Sequence, residues 1–375
     1  MIVIVKDSMN TLSLSVEPIA DLSAAGATQS AKFRMPDDMV MIRTAAELTR
    51  DLNAPKRWVY WTDFLGSALV GYAGLAVAVG ANATIIAVLG AVIAVLALYR
   101  AGSFIHELTH IKHSLVPGFR LGWNVIIGIP LLIPSFMYEG VHSLHHARTR
   151  YGTVDDPEYL PLALMKPYTV PLFVVASAFG PIALLFRYAV LSPLSLLIPS
   201  LRSAVVARYS SLSTNPAFRR RAPEGELQRI WPVQEAATSL WAILLLVSVA
   251  SGYVPLRGFL IALAIVSATL VFNQIRTLVA HLWENDGNVL SVTGQYLDSV
   301  NVPPPGVLPE IWAPVGLRYH ALHHLLPGLP YHALGEAHRR LKAALPQESS
   351  YHGANYGGLT GLVTRLVGNT VKPRG

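Results

Sequence analysis

Long apolar runs alternate along this chain with short polar segments. The first run covers 58–80; Lys56 and Arg57 precede it, and Trp58, Tyr60 and Trp61 stand at its mouth. An uncharged loop around residues 81–83 leads into a second run, 84–105, with Arg100 near its far end. A similar pair follows at 236–254 and 258–280, joined by the short segment YVPLR. Runs of this length read as membrane-crossing helices, and their aromatic and basic flanks as interface anchors. The loop before the second pair carries Arg202, Arg208, Arg219, Arg220 and Arg221. Lysine and arginine favour the cytosolic side. Each hairpin is therefore expected to start and end in the cytosol.

Other stretches fit this pattern less simply. Residues 168–199 are apolar but hold Pro171, Pro181, Pro193 and Pro199, with Arg187 between them. One ordinary crossing would place the chain's histidine-rich regions on opposite faces, so a re-entrant or interfacial pair of helices is expected. Residues 123–136 contain Pro130 and Pro134 and are too short to span, which predicts an interfacial segment. Residues 37–53 predict an amphipathic surface helix after Pro36. The apolar start, Met1 to Val5, lacks a basic segment before it and a cleavage site after it, so it does not read as a signal peptide. The fold expected is all-α and integral to the membrane. It has four main transmembrane helices, re-entrant or interfacial helices, and a cytosolic helical cap. Three regions follow: a cytosolic tail with the amphipathic helix over 1–55, a membrane-embedded domain over 56–341, and a C-terminal cytosolic tail over 342–375.

Composition supports the membrane reading. Of 375 residues 52% are hydrophobic and only 14% charged, and mean hydropathy is +0.43. An ordinary soluble protein has about 25% charged residues. The net charge of +7 fits basic cytosolic loops facing anionic lipid, and no nucleic-acid partner is expected. Cysteine is absent, which excludes disulfides, thiolate metal sites and a cysteine nucleophile. Any metal must then be held by histidine and carboxylate.

The chemistry is concentrated in three histidine clusters: His106, His110 and His113 in HELTHIKH, His142, His145 and His146 in HSLHH, and His320, His323 and His324 in HALHH. Residues at i, i+3 and i+4 share a helix face, so each cluster aims its imidazoles one way. A single cluster reads better as a polar face at headgroup level than as a metal site. Three on one predicted side exceed the four ligands of one zinc and suit two metal ions. His281, at the end of the last span, lies at the same depth and joins them as a ninth candidate ligand. His113 shares the face of His106 and His110 but adjoins Lys112 where the chain leaves the membrane; ligand and surface readings stay open. Among Glu107, Glu139, Asp155, Asp156 and Glu158, the carboxylate expected to orient a ligand imidazole is Asp156, and the others read as solvated. His332 and His338 read as structural or surface residues.

One HxxxH box followed by two HxxHH boxes, with spans between, resembles the membrane fatty acid desaturase and hydroxylase superfamily. The flanking segments PGFRLGWN, YGTVDDPEYLPL and LRYHALHHLLPGLPYHALGEAHRRL are similar to those of bacterial members. The resemblance covers roughly 58–341. It implies two iron ions held by His106, His110, His142, His145, His146, His281, His320, His323 and His324. With O2 as co-substrate and two electrons, they would oxidise an unactivated C–H bond of a lipid or acyl substrate. Relatives acting on acyl-CoA place an asparagine four residues before the late-span histidine; here that residue is Thr277, with Asn273 eight before. No haem-binding HPGG, cysteine cluster or dinucleotide motif is present. Electrons are therefore expected from a separate donor of the ferredoxin, rubredoxin or cytochrome b5 type. The implied setting is a bacterial inner membrane with the termini and metal site on the cytoplasmic side.

The expected reaction is desaturation of a fatty acyl chain. The alternative is hydroxylation of a fatty acyl, sphingolipid, carotenoid or alkane substrate. A more distant alternative is an intramembrane zinc protease, in which HELTH supplies two ligands, Glu107 the general base and Asp286 a further ligand. That reading leaves both HxxHH boxes unexplained. A metal transporter would carry its ionisable groups near mid-membrane.

Overall fold

The computed structural model describes residues 35–372. The expectations for Met1 to Val5 and the tail up to residue 34 lie outside the described residues. Helix α1 (Met39–Leu48) begins where the Asp38 carboxylate accepts the Met41 amide at 2.9 Å. Its apolar face, Met41 and Ala45, is buried against the C-terminal cap.

Among the described residues, five helices are long and apolar enough to cross a membrane. The first two, α2 (Arg57–Gly80) and α3 (Thr84–His110), form a tight hairpin. Small residues make that approach possible. A Cβ added at Gly74 would lie 2.8 Å from Gly90 O, and one at Gly90 would lie 2.8 Å from the Ala78 nitrogen. Close backbone approach through small residues is what drives helix association in lipid, where apolar burial alone gives no preference. Helix α3 continues five residues past the run that ends at 105, because nothing breaks it before Ile111. The first histidine cluster therefore starts on the helix itself.

Short α4 (Phe119–Trp123) passes through a π turn and folds back into the α2–α3 core. Trp123 Nε1 donates to Ala101 O at 2.9 Å, and Asn124 ties the segment to Ser135 at 2.8–2.9 Å. One turn of helix, α5 (His142–His145), follows.

The run over 168–199 becomes α6 (Thr169–Ser195), one helical stretch of 27 residues with 3-10 and π turns inside it. It is long enough to cross. Its start packs on Leu278 and Trp283. Near its end, Arg187 and Ser192 bond Glu235 at 2.9 and 3.1 Å, and Arg202 from α7 (Pro199–Tyr209) reaches the same carboxylate. Glu235 lies in the first half of α8 (Leu227–Ala250), whose start meets the loop before the second histidine cluster. Both ends of α6 are thus tied to the histidine half of the bundle. Helix α9 (Leu256–Leu278) completes the spans.

The cap follows as α10 (Val292–Asp298), α11 (Pro309–Trp312), α12 (His320–Leu325), α13 (Leu334–Ala344) and α14 (Leu359–Val371). Isolated bridges pair His281 with Ser299, and Asn301 with Tyr319 and Asn355. Residues 342–371 are built into this cap. Tyr351 and Ala354 are fully buried with α1 and α13, and Leu366 of α14 packs beside Trp283.

Candidate metal centre

The three clusters and His281 converge at the end of the bundle where α3 stops. Helix α3 brings His106 and His110, α5 brings His142 and His145 with His146 at its end, and α12 brings His320, His323 and His324. His281 lies three residues past the end of α9, held extended by its bridge to Ser299. The nine imidazoles fall into two groups. His106, His110, His142, His146 and His323 form one; His145, His281, His320 and His324 form the other, with the ligand atoms of each group within 4.8 Å of one another.

The spacing within the groups is informative. Nε2 of His146 is 3.0 Å from Nε2 of His142, and Nε2 of His323 is 3.1 and 3.2 Å from those of His110 and His146. In the second group His320 Nε2 lies 3.0 Å from His281 Nε2 and 3.3 Å from His324 Nε2. Metal–imidazole bonds of about 2.1 Å put adjacent ligand nitrogens about 3.0 Å apart at right angles and about 3.4 Å apart in a tetrahedron. The observed separations fall in that window. Among the described residues, both ring nitrogens of His106 and the Nδ1 atoms of His320 and His324 are buried with no hydrogen-bond partner. Burial pushes His142, His146, His281, His320, His323 and His324 well below the usual imidazole range, so their rings are neutral donors. The donor set fits two metal ions.

Carboxylates hold several rings from behind. Asp156 Oδ1 and Oδ2 lie 3.0 and 2.9 Å from His145 Nδ1. A carboxylate can only accept there, so Nδ1 carries the proton and Nε2 is free to ligate. Burial lowers His145, but Asp156 outweighs it and raises this ring above its usual range. Asp156 also accepts the Gly152 and Glu158 amides at 2.8 Å, which closes the loop around it. Gly152 has φ +70°, and a Cβ there would lie 2.2 Å from Asn285 Nδ2, so the turn requires glycine.

Other supports were not legible from residue spacing. Glu158, expected to be solvated, lies 2.7 Å from His142 Nδ1 and accepts the Tyr138 hydroxyl at 2.8 Å; burial pushes its carboxyl up to about 7. Its position two residues after Asp156 in the same tight loop was the available signal. Tyr151 Oη lies 2.8 Å from His281 Nδ1 and donates to Asp298 Oδ2 at 2.9 Å, while Ser299 Oγ is 3.2 Å from the same imidazole nitrogen. Nothing in the sequence ties Asp298 to a histidine 17 residues before it.

The remaining candidates lie elsewhere. His113 is outside both groups, with Nε2 3.3 Å from Glu139, which also pairs with Arg120. Asp155 is exposed. The Thr277 hydroxyl is spent on Asn273 O. His332 Nε2 accepts the Lys56 amide and His338 Nδ1 meets Tyr351 Oη. Glu107 is buried and committed to structure: Oε2 accepts the Tyr60 hydroxyl at 2.5 Å and the Tyr331 amide at 3.2 Å, and Oε1 lies 3.8 Å from His106 Nδ1. Asp286 is exposed, with Asn288 Nδ2 as its bonded neighbour. The protease reading therefore loses both its general base and its extra ligand. The transporter reading has its histidines gathered at one end of the bundle, not along it.

The family model for fatty acid desaturases matches residues 82–355. A ceramide hydroxylase of Caulobacter vibrioides is 47% identical over 322 residues, covering 86% of this chain and 92% of the relative. No solved structure matches. The chain belongs to the fatty acid desaturase family, a family of membrane oxidoreductases acting on lipids.

Proposed function

We propose that the protein is a diiron hydroxylase that inserts oxygen into a C–H bond of an N-acyl, sphingolipid-type membrane lipid. The observation that carries this is the pair of histidine groups, five and four strong and buried or part buried, at one end of an apolar helix bundle. The relative's activity tips the choice from desaturation, the reaction first expected, to hydroxylation. One iron would be held by His106, His110, His142, His146 and His323, the other by His145, His281, His320 and His324. When bound, the irons supply, with O2, two electrons and two protons, the power to convert a C–H bond to C–OH with release of water.

The chain's own residues do the rest. Asp156 and the Tyr151–Asp298 pair fix ring orientation and keep the proton on Nδ1. Buried Tyr159 and Trp283 pack their rings 6.0 and 5.1 Å from that of His281 and give the site a dry wall, which protects it from water. The absence of cysteine leaves no thiol to be oxidised nearby. Electrons would come from a separate ferredoxin, rubredoxin or cytochrome b5 type protein. In this reading the protein sits in a bacterial inner membrane with its histidine layer on the cytoplasmic side.

Expression in a host that makes N-acyl sphingoid lipids, together with a competent donor, tests the reaction. Mass spectrometry should find a lipid heavier by one oxygen atom. A lipid lighter by two hydrogen atoms would instead restore the desaturase reading.

A further inference from the structure

One cation in the histidine half of the bundle lacks the partners its neighbours have. Arg187 is met by Glu235, Ser192, Ser210 and Tyr209 O. Arg220 is met by the carbonyls of Phe136, Ser210 and Glu139, and Arg318 by Glu310 and the carbonyls of Val302 and Gly306. Arg276, in the last turn of α9, is different: its Nε is buried with no partner. An arginine at a helix end ordinarily extends toward the headgroup layer. This one lies beside the Tyr99 hydroxyl of α3, whose own proton goes to Trp312 O at 2.9 Å.

Helical spacing explains the placement. Tyr99, Ser103 and His106 share one face of α3, and Phe272 and Arg276 share one face of α9. The two faces meet where Phe272 packs edge-on against Tyr99 with ring centres 5.2 Å apart. Arg276 lies five residues before His281, and Tyr99 lies seven residues before His106 on α3, so the seam between the two faces runs into the histidine layer. The residue is only part buried, so a ligand can reach it.

We propose that Arg276 anchors the polar end of the lipid substrate by donating to an oxygen acceptor there, and so fixes which carbon reaches the histidine layer. A guanidinium offers a planar fork of N–H donors that matches an amide carbonyl, a hydroxyl or a carboxylate. In a low-dielectric setting an unmet guanidinium N–H is costly, and a lipid oxygen relieves that cost. Anchoring close to the histidines implies oxidation near the polar end of the chain, not at its middle. This proposal rests on the lipid-oxidation reading of the site and names its substrate-recognition residue.

Equilibrium binding to metal-free protein in nanodiscs separates the anchor from the reaction. The probes are an N-acyl sphingoid base, a free fatty acid and an alkane of equal chain length. Arg276→Met should weaken binding of the N-acyl lipid about 10-fold and leave the alkane unchanged, with Arg276→Lys between. In the iron-loaded enzyme, Arg276→Met should raise KM more than it lowers kcat and spread the hydroxyl over neighbouring carbons. Arg276-dependent binding of the fatty acid alone would keep the anchor and make its target a carboxylate. Unchanged binding of all three probes by Arg276→Met, with one product position retained, would overturn the proposal. Arg276-dependent binding without any hydroxylated product would instead count against the proposed reaction and leave the anchor standing.

Discussion

Asp156→Ala is expected to weaken metal binding at the four-histidine group by about 10–100-fold, the usual effect of losing a carboxylate that orients a metal-bound imidazole. Asp156 is fully buried and contacts His145 Nδ1 through both oxygens. Without it, His145 loses the acceptor that fixes its tautomer, and the Gly152 and Glu158 amides lose theirs. At limiting iron the variant should hold about one metal per chain, with the five-histidine group still loaded, and hydroxylation should fall by at least the same factor. Asp156→Asn keeps an oxygen acceptor toward Nδ1, so it should fall between the variant and the native protein. Titration with iron under anaerobic conditions reads both affinities. Two tight sites in Asp156→Ala would show that Asp156 does not position a ligand.

The largest effect on stability is expected at Glu235. Its carboxylate meets Arg187 at 2.9 Å, Arg202 at 2.9 and 3.0 Å, Ser192 at 3.1 Å and Trp231 Nε1 at 3.0 Å. Arg187 is only 3% exposed. Glu235→Ala strands that charge among apolar helices, and breaking a buried pair from one side costs about 3–5 kcal/mol. Thermal unfolding in detergent should show a marked drop. Replacing the buried pair with apolar residues, as in Arg187→Met with Glu235→Leu, should recover most of it, because the one cation left over, Arg202, is part exposed and can be met by water. Equal unfolding temperatures for the native protein and Glu235→Ala would mean that the network contributes little. The network also explains why a proline-broken apolar stretch keeps a charge: Arg187 pins the end of α6 to α8 near the entrance to the second histidine cluster.

The helical pattern carried most of the architecture. The apolar runs at 58–80 and 258–280 appear as α2 and α9 within two residues at either end, since length and hydropathy alone define a segment that satisfies its backbone in lipid. Element ends were less legible. Helix α3 runs through HELTH to His110, and α8 starts at Leu227 and continues through Pro232 at the cost of the one backbone bond its missing N–H would make. The stretch 168–199 was ambiguous because prolines signal breaks, whereas in α6 local 3-10 and π turns absorb them. The histidine clusters were legible because ligands at i, i+3 and i+4 are local. Their division into five and four was not, since His145 parts from His142 and His146 only when α12 and the His281 segment are in place. The supports Tyr151 and Asp298 come from distant loops, and such pairings leave no spacing to read.

Two metal ions, one in each histidine group, are what the reaction requires. Metal content of the protein purified without chelator, read by elemental analysis together with Mössbauer spectroscopy of 57Fe-grown material, tests this most directly. Two irons per chain in nitrogen-rich environments are expected. One zinc per chain, or a single iron that does not rise to two on reconstitution, would contradict it.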